Sequence, residues 1–126
     1  MSSVTVLVVD DDRDSRSLLE LALSLEGYGV QSAPNGAAAL ERARAMHPQV
    51  ILLDLAMPVM DGFTFRAEQL RDPAIAAIPV ICVSGRNDAD EAARDMHMAG
   101  CVKKPFALDE IVDRIKGITR LDAEPH

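Results

Sequence analysis

Short apolar runs recur along this chain, each followed by a segment of helical periodicity, and no other feature restricts the possible folds so sharply. The runs are Val4–Val9, Gly29–Ala33, Val50–Asp54, Pro79–Ser84 and the brief Cys101–Lys103, the second being the weakest. Continuous, β-branched apolar character without polar alternation describes strands buried on both faces. Between them, Asp12 or Asp14 can cap a first helix that carries Leu18, Leu19, Leu21, Leu23 and Leu25 and stops at Glu26-Gly27. The turn Pro34-Asn35-Gly36 leads to a second helix, Ala37–Met46, ended by His47-Pro48. A third is predicted over Gly62–Arg71, carrying Phe63 and Phe65 and closed by Asp72-Pro73, and an alanine-rich fourth over Asn87–Met98. The last spaces Leu108, Ile111, Val112, Ile115 and Ile118 on one helical face. Such alternation means βαβ units, hence an α/β doubly wound fold with a parallel five-stranded sheet covered on both sides.

At 126 residues the chain is the size of one domain. With three Phe, one Tyr and no Trp, its core must be aliphatic. The formal net charge of −7 repels polyanions, so neither a nucleic acid nor a membrane surface is an expected partner. No run approaches the roughly 20 apolar residues of a membrane span, and the N-terminus lacks a signal-peptide pattern. A cytoplasmic protein is expected. Cys82 and Cys101 sit in apolar contexts without metal-ligand spacing and read as free thiols in a reducing compartment. His47, His97 and His126 are scattered and read as surface residues.

Open parallel sheets place their sites outside the carboxyl ends of the strands, where strand order reverses. Asp10, Asp11, Asp54, Ser84 and Lys104 all fall at or just past such ends. A single acid there is often only a helix cap; the set together points to a site. Two carboxylates about 4 Å apart repel by about 4 kcal/mol at an effective dielectric near 20, so three in one crevice either take up protons or hold a cation. An oxygen-only set favours a hard divalent ion such as Mg²⁺. With one lysine added, it suits phosphoryl transfer to a carboxylate nucleophile. The residues alone leave open which carboxylate attacks.

Val8-Val9-Asp10-Asp11, Leu53-Asp54 with Met57-Pro58-Val59-Met60-Asp61-Gly62, Val83-Ser84 and Lys104-Pro105-Phe106 together resemble the receiver domain of bacterial two-component response regulators. The similarity extends from about Val4 to Leu121, which implies a receiver domain over 1–121 and a polar tail over 122–126. It implies a flavodoxin-like (βα)5 sandwich with strand order 2-1-3-4-5. By the same resemblance, Asp54 is the phosphoacceptor for a sensor histidine kinase or histidine phosphotransfer protein. Asp11, Asp54 and the backbone carbonyl of Ala56 would bind Mg²⁺ directly, and Asp10 through water. Lys104 would pair with the acyl phosphate ahead of a cis Lys104-Pro105 bond, and the Ser84 hydroxyl would turn toward the phosphoryl oxygen. The chain would then be a signalling phosphoacceptor rather than an enzyme. Because it ends soon after the fifth helix, its expected output is a protein contact on the face of the fourth helix, fifth strand and fifth helix.

Some positions depart from the family pattern. Cys101 stands where most receivers carry Tyr or Phe, so coupling through an aromatic ring is not expected. His97-Met98 replace the usual Gly-Ala. Arg86 and Ala56 occupy positions where the family tunes dephosphorylation, and Arg86 reads equally as a cover over the phosphoryl group or as a solvated arginine. Two other readings compete: a degenerate receiver that binds partners without phosphorylation, and a haloacid-dehalogenase-type phosphatase built on Asp10-x-Asp12. The second needs a further acidic pair at a strand end, whereas Asp109-Glu110 falls in the final helix.

Overall fold

The computed structural model describes residues 4–55, 62–85 and 89–123. Its elements alternate as expected: β1 (Thr5–Val9), α1 (Arg13–Leu25), β2 (Gly29–Ala33), α2 (Gly36–Met46), β3 (Val50–Asp54), α3 (Gly62–Leu70), β4 (Val80–Ser84), α4 (Ala89–Asp95), β5 (Gly100–Lys103) and α5 (Leu108–Ala123). The strands form one parallel sheet in the order β2-β1-β3-β4-β5. Alternate residues of each strand face opposite layers. Val6, Val8, Val50, Leu52, Ile81, Val83 and Val102 pack with Leu19 and Leu23 of α1 and Ile111, Val112 and Ile115 of α5. Leu7, Val9, Ile51, Leu53, Val80 and Cys82 pack with residues of α2, α3 and α4, among them Ala39, Phe65 and Ala93.

Local chemistry sets the boundaries. Asp12 is the cap of α1 and accepts from the Asp14 N–H and the Ser15 hydroxyl; Asn35 caps α2 by accepting from the Ala38 N–H at 2.9 Å. Of the five leucines on α1, Leu19 and Leu23 are buried, while Leu18, Leu21 and Leu25 are exposed. The fourth helix is shorter than its sequence suggests. It ends at Asp95 rather than Met98, because His97 turns into the left-handed region at φ 55° and the Met98 N–H closes back on the Ala93 carbonyl at 2.8 Å. The other termini differ from the sequence reading by a residue or so, the ordinary fraying of element ends. The last helix continues to Ala123, beyond the expected start of the polar tail.

A polar cluster that the sequence did not announce joins α3 to two loops. Buried Arg66 donates from Nε to the Met96 carbonyl at 3.0 Å, from Nη2 to the His97 carbonyl at 2.9 Å and from Nη1 to Gln69 Oε1 at 2.8 Å. Gln69, fully buried, donates in turn to the Ile75 and Ile78 carbonyls. At the other end of α3, Gly62 lies against the end of β3. A Cβ there would stand 2.7 Å from the Leu55 Cα and 2.8 Å from the Asp54 carbonyl oxygen, both main-chain atoms with little freedom to yield. Gly62→Ala is therefore expected to lower unfolding stability by about 1–3 kcal/mol, the range of overpacked sites. Urea denaturation checks this; an unchanged midpoint would show that the β3–α3 junction has slack.

Candidate functional site

The strand order sets β1 beside β3 at the centre of the sheet, with Val9 level with Leu53. Asp10 and Asp54 thus emerge side by side at the carboxyl edge. One carboxylate oxygen from each of Asp10, Asp11 and Asp54 lies within 4.8 Å of the others. Asp10 and Asp54 are buried, 3% and 6% exposed, whereas Asp11 is exposed. At that separation and an effective dielectric of 20, a pair repels by about 3.5 kcal/mol.

Lys104 offsets this repulsion. Its backbone N–H donates to the Ser84 carbonyl at 3.0 Å, which fixes the chain just beyond β5. Its Nζ lies 3.2 Å from Asp10 Oδ2 and 3.5 Å from Asp54 Oδ2. Burial works to lower the Lys104 pKa, but the Asp54 and Asp10 carboxylates together outweigh it and hold the ammonium above the ordinary lysine value. The Lys104-Pro105 bond is cis, as the resemblance implied. Asp10 is doubly engaged, since its Oδ1 accepts from the Asp12 N–H at 2.9 Å while Oδ2 faces the lysine. Ser84, fully buried, ends β4 one residue past the Val83 that pairs with Asp54.

Asp10, Asp11, Asp54, Ser84 and Lys104 are thus placed at one edge of the sheet, as their strand-end positions suggested. The Ala56 carbonyl, Arg86 and Met57–Asp61 lie outside the described residues. The donor set of the acidic cluster is all oxygen and suits a hard divalent cation. Cys101 pairs in register with Cys82 on β4, and burial raises both thiols. Cys101 opens onto a cavity of about 240 Å³ between α4, β5 and α5, where Asp90, Arg94, Met98 and Arg114 also line the wall. Asp109 and Glu110 occupy the first turn of α5, not a strand end, so the acidic pair that a haloacid-dehalogenase-type site needs is not formed by them. Sequence reasoning passed over Arg16, whose guanidinium donates to the Asp10 and Asp11 carbonyls. Its signal was only a basic residue within two turns of the acidic pair. Among the described residues, no helix is long and apolar enough to cross a membrane.

Residues 6–116 match the family model of the response regulator receiver domain. The chain is 40% identical over 124 residues to the transcriptional regulatory protein PrrA of Mycobacterium leprae, covering 95% of this chain and 52% of that protein. It is 37% identical over 120 residues to the response regulator MprA of Mycobacterium ulcerans, covering 94% and 51%. The chain therefore spans about half the length of the curated relatives it matches. Among solved structures it resembles the chemotaxis protein CheY4 of Vibrio cholerae, with a TM-score of 0.86 at 25% identity over 93% of this chain and 99% of that one.

Removing the cation should expose the repulsion it offsets. Lys104→Met is expected to lose roughly 1–3 kcal/mol at neutral pH, below the 3–5 kcal/mol of fully buried pairs because the lysine is partly solvated. A raised folded-state pKa means that the lysine's contribution is complete below its ordinary value of 10.5 and is lost as pH rises through the higher folded value. The stability gap between parent and Lys104→Met should thus stay flat from pH 7 to about 10 and narrow above it. Urea unfolding across that range checks the sign; a gap that widened in alkali would contradict it.

Proposed function

The chain belongs to the response regulator receiver domain family of two-component signalling, and on that footing we propose that Asp54 accepts a phosphoryl group from the histidine of a sensor kinase or phosphotransfer protein, in a Mg²⁺-dependent reaction. The observation that carries this reading is the pairing of a buried, crowded carboxylate cluster with one lysine that reaches two of its members. Asp54 is favoured as nucleophile over its neighbours. Asp54 ends the central strand with the Asp10 and Asp11 carboxylates and Lys104 within reach.

In this reading an Asp54 oxygen forms the new O–P bond as the N–P bond to histidine breaks, and the imidazole nitrogen keeps the electron pair. Bound Mg²⁺ would neutralise charge on the equatorial phosphoryl oxygens. Asp11 and Asp54 would hold it directly, with the Ala56 carbonyl, and Asp10 through water. Lys104 would trade its contact with Asp54 for the acyl phosphate, and the Ser84 hydroxyl would approach the phosphoryl oxygen. The added charge of about −1.5 to −2 supplies the bias for a switch. Arg86, two positions after Ser84, stands where the family tunes loss of the group, either as a cover over it or as a solvated arginine. The domain is taken as residues 1–121 in a cytoplasmic protein, and its output as a protein contact on the α4–β5–α5 face, where Cys101 rather than an aromatic ring borders the cavity.

Two measurements test this. After incubation with Mg²⁺ and acetyl phosphate, the parent should gain one phosphoryl mass and Asp54→Ala none; a full adduct on Asp54→Ala would sink the assignment. With beryllofluoride as phosphoryl mimic, backbone NMR shifts across α4 and β5 should survive in Cys101→Ala and shrink strongly in Ser84→Ala. Parent-like shifts in Ser84→Ala would remove the hydroxyl from the switch.

A further inference from the structure

We infer that Arg16 is a positioning residue for the cation, holding the β1–α1 loop so that the Asp10 and Asp11 carboxylates are set before the ion arrives. This inference rests on the receiver reading above. Two consecutive carbonyls of the loop, those of Asp10 and Asp11, turn toward this one side chain, and the Asp12 carbonyl accepts the first main-chain bond of α1. Arg16 Nη1 donates to Asp10 O at 2.9 Å and to Asp11 O at 3.2 Å, and the Arg16 backbone N–H donates to Asp12 O at 3.0 Å. Those bonds fix the peptide planes on both sides of the Asp11 Cα. Asp10 has other restraints: its N–H donates to the Ala33 carbonyl, its Oδ1 accepts from Asp12, and Lys104 faces its Oδ2. Asp11 is exposed, past the end of β1, and its main chain is where a loop could most easily swing its carboxylate away from the cluster. Arg16 is half-buried in the first turn of α1.

Charge and geometry give opposite signs for its removal, which makes the role testable. A guanidinium this close to a cation site repels a dication, so by charge alone its loss would tighten Mg²⁺ binding. If Arg16 acts by positioning, its loss weakens binding instead, as loss of groups that orient metal ligands typically does. Both side-chain bonds come from a single nitrogen, so a lysine ammonium can replace them in part, unlike at a two-nitrogen fork.

The test is Mg²⁺ titration of the intact chain by calorimetry, with Mg²⁺-induced thermal shift as a second readout. Arg16→Met is expected to weaken Mg²⁺ affinity by about tenfold, and Arg16→Lys to remain within about threefold of the parent. Phosphorylation by acetyl phosphate should show a matching rise in half-saturating Mg²⁺ with an unchanged plateau rate, a split that a merely structural role would not produce. Should Arg16→Met fail to fold by circular dichroism, Arg16→Gln, too short to reach both carbonyls, carries the same expectation. Parent-like or tighter Mg²⁺ binding in the folded variant would overturn the inference and leave the receiver reading intact. Absence of saturable Mg²⁺ binding in the parent, with Asp11→Asn indistinguishable from it, would overturn both.

Discussion

Everything at the carboxyl edge of the sheet follows from one electrostatic conflict. Asp10 and Asp54 are buried next to each other because β1 and β3 are neighbours, and parallel strands in register deliver their ends to the same edge. Two such carboxylates, with a third from Asp11 within 4.8 Å, repel one another. Lys104 offsets part of that repulsion from β5, at the far edge of the sheet order. One monovalent ammonium cannot neutralise three carboxylates. The cluster therefore stays poised toward a further cation, and the stiff aliphatic sheet beneath it keeps the acids from relaxing apart.

Much of this was legible in the sequence because strands and acids are local signals. A strand buried on both faces is written as a continuous apolar run, so Val50–Asp54 could be bounded to the residue. An acid at the end of such a run lands at the sheet edge by construction, so Asp10 and Asp54 could be placed before any coordinates. Strand order and the role of Lys104 toward an acyl phosphate came through resemblance, since separation along the chain says nothing about which strand lies beside which.

What stayed hidden depends on who covers whom. Leu18, Leu21 and Leu25 satisfy a helical pattern as well as Leu19 and Leu23 do, yet only the latter two meet the sheet. Nothing in the sequence marks Arg66 and Gln69 of α3 as buried, because long polar side chains report nothing about the carbonyls they reach across space. The early end of α4 was hidden for a related reason: Met96 to Met98 has acceptable helix propensity, and the break comes from His97 in a left-handed turn, with the Met96 and His97 carbonyls accepting from Arg66.

These contacts give the two sides of the α4–β5 unit different mechanical characters. At the carboxyl end of α4, a buried guanidinium bonds the Met96 and His97 carbonyls, and burial lowers its pKa. A charge taken out of water keeps such partners because losing them would leave it unsolvated. That end is therefore anchored to α3. On the other side, Lys104 bonds the Ser84 carbonyl by its main chain and the acidic cluster by its ammonium, which ties the ends of β4 and β5 to the site. A change of charge at the carboxylates alters the balance at Lys104 and at the Ser84 end of β4, while the Arg66 anchor feels neither group directly. The cavity beside Cys101 lies between α4 and α5, running from Asp90 in the first turn of α4 to Met98 beyond its anchored end.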